Sequence, residues 1–298
     1  MQQKITPNLW FDGVKEAVDF YVSAFPGGKI VSTVYYPKTA EEGLQDFQRD
    51  FAGKELTIDF ELAGQRFTAI NGGPDFKFNP SISFMVNFDP SRGEGAGDLD
   101  ELWNKLTEGG EILTPLGEQP FSKHYGWCKD KYGLSWQLIL TDPDGEPRPF
   151  IIPFLTFTQE NTNRAEEAAN FYVSLFKDAK LGEPFRYSED TGPAKAGSLM
   201  FIDFTLAGQW FAAMDSSEDQ DFTFNEAVSF VVACKDQEEI DYFWEKLSAV
   251  PESEQCGWCK DKYGLSWQII PENLDELMQK PGAFPKLMQM HKIVIADF

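Results

Sequence analysis

The chain has 298 residues, 42% of them hydrophobic, and a formal charge of −22 at pH 7. This length favours two domains of ordinary size, and the hydrophobic content suffices for buried cores. The acidic excess excludes a nucleic-acid partner, which needs basic faces, and no apolar run approaches the roughly 18 residues that span a bilayer.

The first 71 residues are predicted to form one helix and four strands. Apolar residues recur at helical spacing over Val14–Phe25, and Pro26-Gly27-Gly28 ends that helix. Strands are predicted at Ile5–Phe11, Lys29–Tyr36, Leu56–Leu62 and Arg66–Asn71. The acidic stretch Pro37–Gly53 is predicted to be a long loop with one helical turn.

The next stretch repeats the order strand, helix, strand, strand, strand. The helix is predicted over Leu99–Leu106. The strands are predicted at Ser81–Phe88, Glu111–Thr114, Gly126–Lys129 and Ser135–Thr141. Asp142–Pro149, rich in Asp, Pro and Gly, is the predicted linker, and Asp275–Phe298 is a tail without a counterpart.

A second copy of this whole pattern follows the linker. The twelve residues Gly126–Gln137 return letter for letter as Gly257–Gln268, which identifies a tandem duplication. The predicted domains are therefore residues 1–147 and 148–298. Because the copies are so similar, the sequence leaves open whether each barrel closes within one repeat or by exchange of units between repeats.

A βαβββ unit used twice per domain resembles the glyoxalase/bleomycin-resistance, or vicinal-oxygen-chelate, superfamily. Three phrases resemble its PhnB-like branch, which is often labelled 3-demethylubiquinone methyltransferase-like: Thr6-Pro7-Asn8-Leu9-Trp10-Phe11-Asp12-Gly13, Ile58-Asp59-Phe60-x-Leu62-x-Gly64 and Tyr132-Gly133-x-x-Trp136-Gln137. The resemblance implies an α+β fold of two glyoxalase-like domains, each an open β-barrel of two βαβββ units with flanking helices.

Enzymes of that superfamily hold a divalent metal through one His or Glu on each key strand. The matching positions here are Thr6 and Ile152; Ile70 or Asn71 and Met214 or Asp215; Ser81 and Ala227 or Val228; and Gln137 and Gln268. The two histidines, His124 and His291, are predicted to lie in a loop and in the tail. These residues do not form the set of His and carboxylate ligands that such a metal requires, so no metal and no cofactor is expected.

Strand alternation predicts a ligand cavity lined by neutral side chains. Thr6, Asn8 and Trp10 share a face, as do Ser81, Ser83 and Met85, and Ser135 and Gln137; Asn71 and Gln268 complete the predicted ligand-binding residues. An aromatic-lined cavity with a few polar groups is typical of small-molecule sites. Phe154 and Ala227 replace Asn8 and Ser81 in the second copy, whose cavity is expected to be apolar or filled.

Three other motifs favour structural interpretations. Cys256-Gly-Trp-Cys259 has redox spacing, but the first copy keeps only Cys128 of the pair. Gly93–Gly97 lies between a strand and a helix, yet Glu94 and Asp98 would repel a phosphate. Asp130 and Asp261, flanked by lysines, are predicted to form solvated charged turns.

These features favour a cytoplasmic, metal-free protein that binds an apolar or aromatic small molecule, as a monomer or homodimer. The N-terminal segment Met1–Ile5 lacks the apolar stretch of a signal peptide. Two alternatives remain open: a metal-dependent lyase, isomerase or dioxygenase of the same superfamily, and a structural module with filled barrels. The sequence does not indicate a methyl-donor site.

Overall fold

The computed structural model describes residues 3–298, which form four consecutive units of strands and one helix each. Met1 and Gln2, part of the predicted leaderless N-terminus, lie outside the described residues. Unit 1 contains β1 (Ile5–Phe11), α1 (Val14–Ala24), β2 (Lys29–Tyr35), β3 (Glu55–Leu62) and β4 (Gln65–Asn71). Unit 2 contains β5 (Ile82–Phe88), α2 (Ala96–Thr107), β6 (Glu111–Gln119), β7 (Ser122–Lys129) and β8 (Ser135–Leu140).

The second repeat supplies two further units and a helical tail. Unit 3 contains β9 (Ile151–Phe157), α3 (Ala165–Leu175), β10 (Lys180–Leu181), β11 (Phe185–Arg186), β12 (Leu199–Leu206) and β13 (Gln209–Asp215). Unit 4 contains β14 (Val228–Cys234), α4 (Gln237–Leu247), β15 (Trp258–Lys260) and β16 (Ser266–Pro271), followed by α5 (Leu274–Met278) and α6 (Ala283–Leu287). The predicted α+β class and repeated unit order are confirmed.

The two sheets combine units from different repeats. Sheet I has the order β15-β16-β14-β1-β4-β3-β2 and therefore joins units 1 and 4. Sheet II has the order β10-β12-β13-β9-β5-β8-β7-β6, with β11 beside β12, and joins units 2 and 3. The first strands meet antiparallel at each junction, β1 with β14 and β5 with β9. Exchange of units between repeats is thus the arrangement that the chain adopts.

Aromatic packing between helices and strands joins the two units of each repeat. In repeat 1 the ring of Tyr21 in α1 lies 5.7 Å from Trp136 in β8, so unit 1 packs against unit 2. In repeat 2 the matching pair, Tyr172 and Trp267, is 5.5 Å apart. Both tryptophans are 1% exposed. Backbone hydrogen bonds between first strands therefore connect the repeats, and these aromatic contacts connect the two units within each repeat.

Several predicted boundaries need correction. The stretch predicted as a loop with one turn contains two short 3-10 segments, Ala40–Glu42 and Asp46–Phe51. The strand β6 runs to Gln119 and β7 begins at Ser122, so these strands form a longer hairpin than predicted. His124 consequently lies in β7 rather than in a loop. The polar composition and Pro120 concealed this hairpin, which runs to the edge of sheet II where such residues are tolerated.

The tail lies where unit 4 has no counterpart of β6. Backbone amides of Cys256 and Gly257 donate to the carbonyls of Met290 and His291, both at 2.7 Å. Ile293 is fully buried in the core. The last residues thus take the place of the edge strand that unit 4 lacks, which explains the apolar end of the chain.

Candidate functional site

The first strand, β1, places two sets of side chains on opposite sides of sheet I. Ile5, Leu9 and Phe11 belong to the hydrophobic core beside the helices. Because side chains alternate along a strand, Thr6, Asn8 and Trp10 point to the opposite face, here called the cavity face. A cavity of about 240 Å³ lies there, and Thr6 and Asn8 line it.

Asn8 is the most unusual polar residue of this cavity. Only 4% of its surface is exposed, and its Oδ1 has no hydrogen-bond partner among the described residues. A buried polar atom without a partner costs about 1–3 kcal/mol. A ligand or a water molecule that supplied the missing donor would remove this penalty.

A second amide reaches the same cavity from unit 4. Gln268 of β16 lines the cavity and is 8% exposed. Its Nε2 donates to the Ser229 hydroxyl at 3.0 Å, which leaves Oε1 as the free atom of the amide. Asn8 is paired with Ser229 across the β1–β14 junction. The exchange of units therefore brings amides from positions 8 and 268 to one cavity.

A carboxylate from unit 1 completes the polar lining. Asp59 of β3 faces the cavity and accepts hydrogen bonds from the hydroxyls of Ser32 at 2.9 Å and Thr68 at 2.6 Å. The sequence alone did not identify Asp59, Thr68 and Ser229 as residues of this site. Alternation along β3 and β4 could have indicated the first two, whereas Ser229 depends on the exchange of units.

Aromatic side chains bound one end of the cavity face. The Trp10 ring lies 5.0 Å from Phe76 and 6.1 Å from Trp258, in both cases edge to face. Its Nε1 donates to the Gly73 carbonyl at 2.8 Å. Gly72 is required beside this ring, since an added Cβ would lie 2.2 Å from it. The Trp10 ring is therefore held in one orientation.

The corresponding face of sheet II is filled. Met85, Ile152, Phe154 and Ala212 form a buried apolar cluster, and Ile139, Phe201, Trp210 and Met214 pack against it. Phe154 occupies the position that Asn8 has in sheet I. The expectation that Phe154 belongs to an apolar or filled face therefore holds, but Ala227 lies in the other sheet.

Gln137 was predicted to offer its amide to a ligand, but both its Oε1 and its Nε2 form hydrogen bonds within the protein. Its Oε1 accepts from the Tyr125 hydroxyl at 2.8 Å, and its Nε2 donates to Ser83 at 2.8 Å. Ser135 accepts a hydrogen bond from the Trp127 indole at 2.8 Å. These contacts give Gln137 and Ser135 internal partners.

The predicted ligand-binding residues thus separate into three groups. Thr6, Asn8, Trp10 and Gln268 lie on sheet I, whereas Ser81, Ser83, Met85, Ser135 and Gln137 belong to sheet II or its margin. Asn71 points to neither cavity face, since its Oδ1 accepts from the Gly13 amide at 3.1 Å and its Nδ2 donates to the Glu55 carbonyl. One cavity containing all of them, as the sequence suggested, does not form.

The residues of sheet I do not fit the divalent metal of the superfamily's enzymes. The matching positions in sheet I present hydroxyl, amide and apolar groups, including Thr6, Gln268 and Val228, and one carboxylate, Asp59, lies in the same cavity. Within residues 3–298, no three His, Cys, Asp or Glu side chains are grouped so that they could hold a metal ion.

The repeated Asp-Lys-Tyr-Gly turn is a structural element with a buried charge, which corrects the prediction of a solvated turn. Asp130 is 3% exposed and accepts hydrogen bonds from Tyr21, Trp136 and the amides of Tyr132 and Leu134. Asp261 receives the same four donors in repeat 2. Burial raises the pKa of Asp261 to about 6, against the lowering effect of these donors. Gly133, with φ of 88°, permits the turn.

The Cys256-x-x-Cys259 pair lacks the properties of a redox motif. Burial raises the pKa of both thiols, and the nearby Asp261 and Glu254 raise that of Cys259 further. Reactive pairs need lowered pKa values.

A second cavity, of about 440 Å³, lies on the helix side and includes Glu94, Asp98 and Glu101 in its lining. Asp98 accepts a hydrogen bond from the Gly95 amide at 2.8 Å, and Glu94 accepts one from the Asp89 amide at 3.1 Å. These loop amides, which a phosphate would need as donors, therefore already donate to carboxylates.

No helix within residues 3–298 has the length and apolar character to cross a membrane.

Residues 3–139 and 149–270 match the sequence profile of the family described as 3-demethylubiquinone-9 3-methyltransferase. The solved PhnB protein from Bacillus cereus is 38% identical over 47% of this chain and 100% of its own, with a TM-score of 0.40. Glyoxalase I from Zea mays is 12% identical, covers 91% of this chain and 93% of its own, and has a TM-score of 0.52, which indicates a shared fold. No curated protein matches the chain.

Proposed function

The chain belongs to the 3-demethylubiquinone-9 3-methyltransferase family, the PhnB-like branch of the glyoxalase superfamily, and from this premise we propose that it binds a small molecule on the cavity face of sheet I. The ligand is a compound with an aromatic or apolar skeleton and at least one hydrogen-bond donor. The protein acts by binding, and no residue is assigned a catalytic role. We place this activity in the cytoplasm.

The unpartnered Oδ1 of Asn8 carries the proposal. The atom is buried, and Asn8 lines a cavity of about 240 Å³, somewhat below the usual size range of ligand sites. The equivalent position in sheet II, Phe154, is instead packed into an apolar cluster. Two faces of common ancestry thus differ in the way expected if one of them keeps room and a polar anchor for a ligand.

A thermal-shift screen of small aromatic compounds, followed by calorimetry on the hits, tests this function. Ligands that bind only the native state raise the unfolding midpoint by mass action. We expect a hit whose binding is lost in Asn8→Leu, a change that removes the amide but keeps the number and branching of the side-chain heavy atoms. The matched control is Phe154→Leu at the same position of sheet II, which should leave the affinity unchanged.

The screen also includes S-adenosylmethionine and divalent metals, because the family description names a methyl transfer and the superfamily includes metal enzymes. Stabilisation by either of them, with no hit among the aromatic compounds, would refute the proposed function. A hit that survives Asn8→Leu but is lost in Phe154→Leu would place the site on sheet II.

A further inference from the structure

The cavity of sheet I differs from the filled face of sheet II in charge as well as in volume. Asp59 of β3 and Asp203 of β12 occupy equivalent positions in the two repeats. Asp59 pairs with Thr68 of β4, and Asp203 pairs with Ala212 of β13. Arg148, at the end of the linker, donates two hydrogen bonds to Asp203, at 2.9 and 2.5 Å. The Asp203 side chain is 6% exposed, so its charge is neutralised inside the protein.

Asp59 has no such neutralising partner in the described part of the chain. Its two oxygens accept from the neutral hydroxyls of Ser32 and Thr68. Arg66 also lines the cavity, but its side chain is exposed at the rim, where Glu272 and Asp275 lie as well. The cavity lining therefore has one basic and three acidic residues.

Two side-chain amides of the cavity lining have oxygen acceptors without donors. Asn8 has a buried Oδ1 that lacks a donor, and Gln268 donates through Nε2 to Ser229 while its Oε1 accepts no hydrogen bond from the described residues. Three oxygen acceptors on three strands of one sheet, one of them a carboxylate, match a ligand that carries several N–H donors and a positive charge. Hydrogen bonds to ionised groups are stronger than those between neutral groups.

Resting on the proposed function, we propose that the sheet I cavity selects protonated amines or amidines. The cationic nitrogen donates to the Asp59 carboxylate and to Asn8 Oδ1, while the carbon skeleton lies against Val34 and Val231. A carboxylate ligand would face Asp59 and the two free amide oxygens and would be repelled.

Calorimetric titration with benzamidine, benzamide and benzoate tests the charge preference, because the three compounds share one shape and differ in charge. Benzamidine should bind at least about tenfold more tightly than benzamide, equivalent to about 1.4 kcal/mol, and benzoate should bind most weakly. Asp59→Asn should abolish the advantage of benzamidine. The matched control is Glu61→Gln, which removes one negative charge from the same strand at a residue paired with Lys29.

The other outcomes separate the two proposals. If benzamide and benzamidine bind equally and both are lost in Asn8→Leu, the cation preference is wrong and the proposed site stands. If a tenfold preference for benzamidine persists in Asp59→Asn but disappears in Glu61→Gln, the proposed recognition of the cation by Asp59 is wrong. Binding of benzamidine that is unaffected by Asn8→Leu and Asp59→Asn overturns both proposals, and binding of none of the three overturns the amidine and amine preference.

Discussion

The hydroxyl of Tyr21 donates a 2.8 Å hydrogen bond to the carboxylate of Asp130, 109 residues later in the chain. The bond joins the helix of unit 1 to the β7–β8 turn of unit 2, and Tyr172 and Asp261 repeat it at 2.8 Å. These pairs hold together, within each repeat, units whose strands belong to different sheets. The repeated twelve-residue motif therefore has a structural role, because its aspartate links the two units of each repeat.

Replacing Tyr21 by Phe should destabilise the protein by about 1.5–3 kcal/mol, the range for a hydrogen bond to a charged group. Tyr172→Phe should cost a similar amount, because its environment is the same. Urea unfolding measures both effects. The control is Tyr132→Phe, whose hydroxyl donates to the Glu16 carbonyl in an exposed position and should cost little. Equal effects at all three tyrosines would contradict the structural role of the aspartates.

The buried carboxyl of Asp261 predicts a pH dependence of stability. Its pKa is raised from 3.8 to about 6, so the native state binds the proton more tightly than the unfolded state. The resulting stabilisation is fully present below pH 3.8 and is lost as the pH rises through about 6. Its size is on the order of 3 kcal/mol, since one pKa unit is about 1.4 kcal/mol.

Comparison of the parent chain with Asp261→Asn isolates this dependence. The parent should lose stability relative to the variant as the pH rises from about 4 to about 6, measured by urea unfolding at each pH. A constant difference across this interval would show that the four hydrogen-bond donors hold the pKa of Asp261 near its ordinary value.

Asn8→Leu should raise the free energy of unfolding by about 1 kcal/mol, because it removes a buried oxygen that has no partner. The same change should abolish ligand binding. Stability and function would then oppose each other at one residue, as is common at binding sites. A loss of stability in the ligand-free variant would mean that the Asn8 amide has a partner.

Arg148→Met should cost about 3–5 kcal/mol, because it leaves the buried Asp203 carboxylate without its cation. Adding Asp203→Asn to this variant should recover much of the loss. Asp59→Asn in the parent chain should change stability by far less, since Asp59 has no ion pair to lose. Denaturant titration of the parent chain and these three variants measures the differences.

Deleting residues 288–298 should destabilise unit 4 by several kcal/mol, since it removes the fully buried Ile293 and the backbone pairing of Cys256 and Gly257. His291→Ala is the control, because the His291 side chain is 65% exposed and its carbonyl makes the contact. Hydrogen exchange should show the loss of protection at Cys256 and Gly257 first.

Much of the local structure could be predicted because it depends on short-range patterns. The strand alternation of β1, the helical spacing of α1 and the turn at Gly133 each follow from neighbouring residues. The burial of Asp130 could not be inferred, because two of its donors, Tyr21 and Trp136, lie on other elements and the flanking lysines resemble a solvated turn.

The sequence by itself determined the duplication, the order of strands and helices, and the family. Only the tertiary structure decided which units share a sheet, because the repeats carry similar strand patterns and either pairing satisfies the backbone. That choice brings Asn8 to Gln268, so it also decides which side chains line the open face of sheet I. Local patterns cannot specify this outcome, since it depends on hydrogen bonds between strands more than 200 residues apart, such as β1 and β14.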